Sequence, residues 1–110
     1  MRKACPDVFI FHAGITGGGS TGYTEGLSLE EMARHSQMHF EIARRIYPDV
    51  ILLAHGAALV NPEDAQYVLD HTECHGVQLG SSIERLAIEE PLKKRATAFK
   101  TIQFRKPMRL

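Results

Sequence analysis

Tryptophan is absent from this 110-residue sequence, and cysteine occurs only twice, at Cys5 and Cys74. Two thiols so far apart make neither a disulfide framework nor a Cys-x-x-Cys redox pair, so both are expected to be reduced in a cytoplasmic protein. An excess of either charge is lacking too: 13 Lys and Arg balance 13 Asp and Glu. A general nucleic-acid or anionic-membrane surface needs a clear basic excess, so neither partner is expected. The one basic cluster, Phe104-Arg105-Lys106-Pro107-Met108-Arg109-Leu110, reads as a short solvated tail. No apolar run approaches the roughly 20 residues of a membrane span. The stretch after Met1-Arg2-Lys3-Ala4-Cys5-Pro6 is too short for a secretory signal. The length allows one compact domain at most.

What is present is a repeated alternation of strand and helix. Val8-Phe9-Ile10-Phe11 and Val50-Ile51-Leu52-Leu53 are continuous apolar runs, the pattern of strands in a parallel sheet. Gly76-Val77-Gln78-Leu79 is a weaker, partly polar third. Ser28-Leu29-Glu30-Glu31 has the form of a capping box, and Leu29, Met32, Ala33, Ser36, Phe40, Ala43 and Tyr47 follow at helical spacing until Pro48. A second helix is expected from Asn61 and Pro62, with Glu63 and Asp64 near its positive end and Ala65, Val68 and Leu69 inward. Pro91 divides the last stretch, since proline suits only a helix's first turn. A short helix is therefore expected from Ser82 to about Leu86, then a main helix from near Ile88 with Leu92, Ala96 and Phe99 packed inward. The order β-α-β-α-β-α with short connections implies parallel pairing through right-handed crossovers.

In such folds ligands bind at the carboxyl ends of the strands, and small or polar residues gather there. After the first strand comes His12-Ala13-Gly14-Ile15-Thr16-Gly17-Gly18-Gly19-Ser20-Thr21-Gly22. Gly14, Gly19 and Thr21 fit a P-loop, but Ser20 stands where the phosphate-neutralising lysine belongs, and the helix starts too late to face a phosphate. Gly17, Gly18 and Gly19 read instead as a mobile loop over a site, or simply as a loop needing positive φ. Gly80-Ser81-Ser82 offers close backbone approach, two hydroxyls and the free N–H groups of a short helix, as an anion site without lysine would; equally, a serine there caps the helix with Glu84. His12 and His55 stand just past adjacent strands, where imidazoles act as acid and base or lie hydrogen-bonded to neighbours. Glu84 and Arg85 form a charged rim that binds an anion or pairs locally, while His35 and His39 read as solvated. No residue set is assigned to a metal, and no cofactor follows.

With those residues assembled, the sequence resembles the C-terminal part of the phosphoenolpyruvate hydrolase-like TIM-barrel family. The resemblance rests on His12-Ala13-Gly14 with Thr16 and Gly17-Gly18, Pro48-Asp49-Val50 leading to His55-Gly56, Pro62-Glu63-Asp64-Ala65-Gln66-Tyr67-Val68-Leu69, His75-Gly76, Gly80-Ser81-Ser82-Ile83-Glu84-Arg85-Leu86 and Phe99-Lys100. It implies an α/β fold of three consecutive βα units, strands six to eight of a (β/α)8 barrel of the phosphoenolpyruvate/pyruvate superfamily. It also implies a phosphoenolpyruvate- or pyruvate-like anionic ligand with hydrolase or lyase chemistry; the alternatives are a noncatalytic ligand-binding or regulatory module and an inactive truncated fragment. Two departures are Ala57-Ala58, where Gly-Pro is expected, and Ala87, where a proline usually opens the last helix. A barrel closes with eight strands and about 250 residues. Residues 1–110 are therefore expected to be a partial barrel lacking five units, its missing strands supplied by a longer chain or by oligomerisation.

Overall fold

The computed structural model describes residues 4–20 and 26–103. It has strand β1 (Val8–His12), helix α1 (Leu29–Ile46), β2 (Ile51–His55), α2 (Pro62–His71), β3 (Gly76–Gln78), α3 (Ser81–Glu84) and α4 (Leu86–Lys100). The strands form one parallel sheet in the order β1-β2-β3. The α/β reading holds, with strand ends shifted by one or two residues from the apolar runs.

Local chemistry explains the first two helices. Ser28 Oγ accepts from the Glu31 N–H while the Glu31 carboxylate accepts from the Ser28 N–H at 2.9 Å, completing the capping box. Those hydrogen bonds hold the Glu31 carboxyl below the ordinary carboxylate range. Arg44 and Arg45 complement the dipole at the other end of α1. In α2 the Asp64 carboxylate accepts from the N–H groups of Asn61 at 2.8 Å and Val60 at 3.1 Å, and Pro62 occupies the first turn, where its missing N–H costs nothing.

Both helices cover one face of the sheet. Met32, Phe40 and Ala43 of α1 and Val68 of α2 are fully buried against Leu52 and Ala54 of β2. Phe9 meets Phe40 edge to face, centroids 6.3 Å apart. Each such large side chain contributes about 1.5–3 kcal/mol by leaving water. Ser36, the polar residue in the stripe, is satisfied by donating to the Met32 carbonyl at 2.7 Å. Where α1 meets the turn before β3, Gln37 exchanges hydrogen bonds with Glu73, and Arg44 pairs with Glu73 at 3.7 Å.

The opposite sheet face is left open by the described residues. Side chains alternate across a strand, so register sets three rows there: Val8 beside Ile51; Ile10 beside Leu53 and Gly76; and His12 beside His55 and Gln78. Val8, Ile10 and Ile51 are each exposed.

The last helices differ from the sequence reading. The short helix is Ser81–Glu84, and the main one starts at Leu86 rather than near Ile88, which leaves Pro91 in its second turn. The bond lost is to the carbonyl of Ala87, which is exposed and open to water. Leu92, Ala96 and Phe99 do not pack inward: every residue from Glu90 to Gln103 is exposed, Leu92 at 67% and Phe99 at 65%. Helical spacing specifies an apolar stripe, not the surface that covers it. A crossover helix lies on the sheet when it returns to a following strand, and no strand follows β3 among the described residues. Cys5 and Cys74 are both free thiols, and no described helix is long and apolar enough to cross a membrane. The basic cluster 104–110 and Thr21 lie outside the described residues.

Candidate functional site

The third row of the bare face, at the carboxyl ends of the strands, carries the polar chemistry. His12 and His55 are register partners, and their rings meet at 83° with centroids 4.6 Å apart. His12 is exposed and His55 half-buried. The Gly14 N–H donates to His12 Nδ1 at 3.1 Å, so the neutral His12 ring carries its proton on Nε2. His55 Nδ1 lies 2.7 Å from the Gln78 carbonyl, which only accepts, so the His55 proton sits on Nδ1 and the Nε2 lone pair is free. Neighbouring imidazoles thus present opposite faculties, a donating Nε2–H on His12 and an accepting Nε2 on His55.

The loops after β1 and β2 are bonded into one unit that holds this pair. Ala13 N–H donates to the His55 carbonyl at 2.9 Å, Ala57 N–H to the Gly14 carbonyl at 2.9 Å, and Gly17 N–H to the Ala57 carbonyl at 3.0 Å. Gly56 makes the approach possible: its φ is +85°, and a Cβ there would run into the Gly14 carbonyl oxygen. Ala57, in the place where the resemblance leads one to expect glycine, adopts φ +46° and is buried.

Gly80 lies beside His55, since a Cβ on it would stand 3.9 Å from His55 Cε1. The N–H groups of Ile83 and Glu84 return to the Gly80 carbonyl, both at 2.9 Å. Ser81 and Ser82, both half-buried, open α3, and their N–H groups are its first-turn donors. His12, His55, Gly80 and the start of α3 therefore share one end of the sheet.

Gly17, Gly18 and Gly19 are tied to the α3–α4 junction. Arg85 donates to the Gly18 carbonyl at 3.0 Å and to the Gly17 carbonyl at 3.5 Å. Glu89, paired with Arg85 at 3.3 Å, accepts from the Ser20 N–H at 2.7 Å and from the Ser20 hydroxyl. The Ser20 bonds, with Arg85 adding to them, hold the Glu89 carboxyl below its ordinary range. Gly19, at φ +72°, leaves no room for a Cβ between Glu89, Arg85 and Leu86. Arg85 thus pairs locally, while Glu84 is exposed on α3. Sequence reasoning missed Glu89; its spacing of four from Arg85 on a helix was the available signal. The role of the Gln78 carbonyl rests on a main-chain atom and carried no sequence signal.

His35 and His39 stand apart from the strand ends. His39 stacks on Phe11 at 4.2 Å, and its Nδ1 lies 2.7 Å from the His35 carbonyl. Among the described residues, no group of three or more His, Cys, Asp and Glu is placed to hold a metal ion. A groove of about 440 Å³ between α2, the end of β3 and α3 is lined by Ser82 but by no histidine.

Parallel βα units, with polar groups at the carboxyl ends of the strands, define the class: an α/β protein with a three-stranded parallel sheet. The chain belongs to the phosphoenolpyruvate hydrolase-like family, whose profile matches residues 1–102. It is similar to the ToMV resistance protein Tm-1(GCR237) of Solanum lycopersicum, 39% identical over 93% of this chain. The ToMV susceptible protein tm-1(GCR26) of the same plant is 38% identical over the same share. The chain spans 14% of the length of each of these relatives.

Proposed function

We propose that residues 1–110 contribute three consecutive βα units, the sixth to eighth, to a TIM barrel of the phosphoenolpyruvate/pyruvate superfamily, and that the strand ends bind a small phosphoenolpyruvate- or pyruvate-like anion. The observation that carries this reading is the row His12, His55 and Gln78 with its two opposite tautomers, next to the start of α3. A bare face in level rows of side chains suits a barrel interior, and a short extra helix after the last strand suits the phosphate end of a barrel. The remaining strands come from a longer chain or from other copies.

In this reading the N–H groups and hydroxyls of Ser81 and Ser82, with Gly80 giving close approach, hold the anion. His55 Nε2 takes a proton and His12 Nε2–H gives one, which fits hydrolysis or lysis of a keto-acid or enol phosphate. Gly17, Gly18 and Gly19 cover the site, and Arg85 with Glu84 forms its rim. A second reading, a noncatalytic binding module, draws on Ala57, whose N–H and carbonyl are both spent joining the two loops.

The test is titration of the chain with inorganic phosphate and with phosphoenolpyruvate, followed by NMR of the imidazoles and of the Ser81 and Ser82 amides. Binding should move both sets of signals, and Ser81→Ala with Ser82→Ala should weaken it about tenfold. His55→Ala should abolish turnover while leaving binding in place; binding without turnover in the parent chain would select the second reading. Signals that stay still in the presence of either anion would remove the assignment.

A further inference from the structure

The loop after β1 reaches across the end of the sheet. β2 lies between β1 and β3, so a segment that leaves β1 and is bonded to the helices after β3 crosses the carboxyl end of β2. Its contacts trace that path. The Gly17 N–H donates to the Ala57 carbonyl, just beyond β2. A Cβ on Gly18 would stand 3.3 Å from Val60 Cγ1, and Gly19 lies against Arg85, Leu86 and Glu89. Ser20 closes the path on Glu89, 69 residues away in sequence.

What holds this segment is polar. Gly18, Gly19 and Ser20 are exposed and carry no apolar side chain, so burial contributes little to keeping them in place. The hold consists of the Arg85 bonds to the Gly17 and Gly18 carbonyls and the two Ser20 bonds to the Glu89 carboxylate. Bonds to an ionised carboxylate are about twice as strong as neutral ones. Arg85, paired with Glu89 at 3.3 Å, keeps that carboxylate in place beside Ser20. Gly18 and Gly19, at φ +77° and +72°, form a joint that swings once those bonds open.

We infer that residues 17–20 are a strap across the end of β2 that gates access to His55, and that Glu89 is the positioning residue that latches it. Ser20 is the catch. His55 is half-buried whereas His12, its neighbour in the same row, is exposed, as a cover centred on β2 requires. A segment held by a few surface hydrogen bonds opens at low cost and without disturbing the core. What passes the gate rests on the proposed anion site. The covering of His55 does not, because it is a property of the chain without ligand.

The test is modification of the 110-residue chain by diethyl pyrocarbonate at neutral pH, to less than one group per molecule, with each modified imidazole located by mass spectrometry of peptides. In the parent chain His55 should react more slowly than His12. Glu89→Ala removes the latch and should raise the His55 rate about tenfold, the effect of one lost charge-assisted bond on the opening equilibrium. Ser20→Ala removes only the hydroxyl bond, so it should give a smaller rise in the parent and none in the Glu89→Ala background. The His12 rate and the circular dichroism should stay the same throughout. Ser20 is exposed, so its truncation probes the catch without loss of the fold. A chain that binds neither phosphate nor phosphoenolpyruvate but shows this selective release of His55 keeps the strap and loses the anion site. His55 reacting as fast as His12 in the parent, a His55 rate untouched by Glu89→Ala, or equal rises at both imidazoles would each overturn the proposal.

Discussion

At the scale of single residues, two glycines in the loop unit are expected to differ although both have positive φ. Gly56→Ala adds left-handed strain of about 1–2 kcal/mol and drives its Cβ into the Gly14 carbonyl oxygen. Gly14→Ala, at φ +124°, meets nothing within 4 Å and adds strain alone. Urea unfolding should therefore show the larger loss, above about 2 kcal/mol, for Gly56→Ala; equal losses would mean that the loop unit gives way easily. Glu89 supplies a pH-dependent prediction. Its carboxyl titrates below the ordinary range because Ser20 bonds its ionised form. The clasp is thus fully present above the ordinary carboxylate pKa and is lost as pH falls through the lowered folded value. Protection of the Ser20 amide, measured against its intrinsic exchange rate at each pH, should fall over that acidic window, and Glu89→Gln should leave it low and independent of pH. Neither residue's role was legible in the sequence in the same degree. The P-loop-like spacing drew attention to Gly14 and Gly19, but their constraints come from chain segments more than 40 residues away, Gly56–Ala57 and Arg85–Glu89.

At the scale of elements, legibility followed how local the determinants are. The capping box, the stripe from Met32 to Ala43 and the Asn61-Pro62 start lie within single windows of sequence, and all are observed. His12 and His55 came together because two apolar runs ending at equivalent points pair in register. The α4 stripe shows what a window cannot hold: period and polarity are local, but a covering surface is not. The capping box makes a paired prediction. Ser28→Ala should cost about 1 kcal/mol by leaving first-turn N–H groups of α1 without their partner. It should let the Glu31 carboxyl rise only part of the way toward the ordinary range, since the Ser28 main-chain N–H, the largest cause of its lowering, is kept and only the side-chain contribution is lost. A carbon-detected NMR titration of Glu31 alongside thermal unfolding checks both. A stability loss with Glu31 fully as low as before would mean that the Ser28 main-chain N–H alone sets its position.

For the whole molecule, stability should be graded rather than uniform, because burial is concentrated around one strand. β2 is the central strand, bonded on both sides, and holds Leu52 and Ala54 at zero exposure. α1 contributes the deepest helical residues, Met32, Phe40 and Ala43. Among the described residues β1 and β3 each present an open edge, and α4 has no buried residue. Local opening free energies follow buried contact, so amide exchange in dilute solution should be slowest in β2 and α1, faster in β1 and β3, and fastest in α4. An isolated 15-residue helix interrupted by proline is marginal in water. Protection of α4 is therefore a direct reading of whether something covers it. If its stripe is covered only when molecules meet, its exchange should slow as protein concentration rises while that of β2 stays constant. If α4 is protected equally at every dilution, its stripe is covered within one chain, and the arm is not the free element that its exposure indicates.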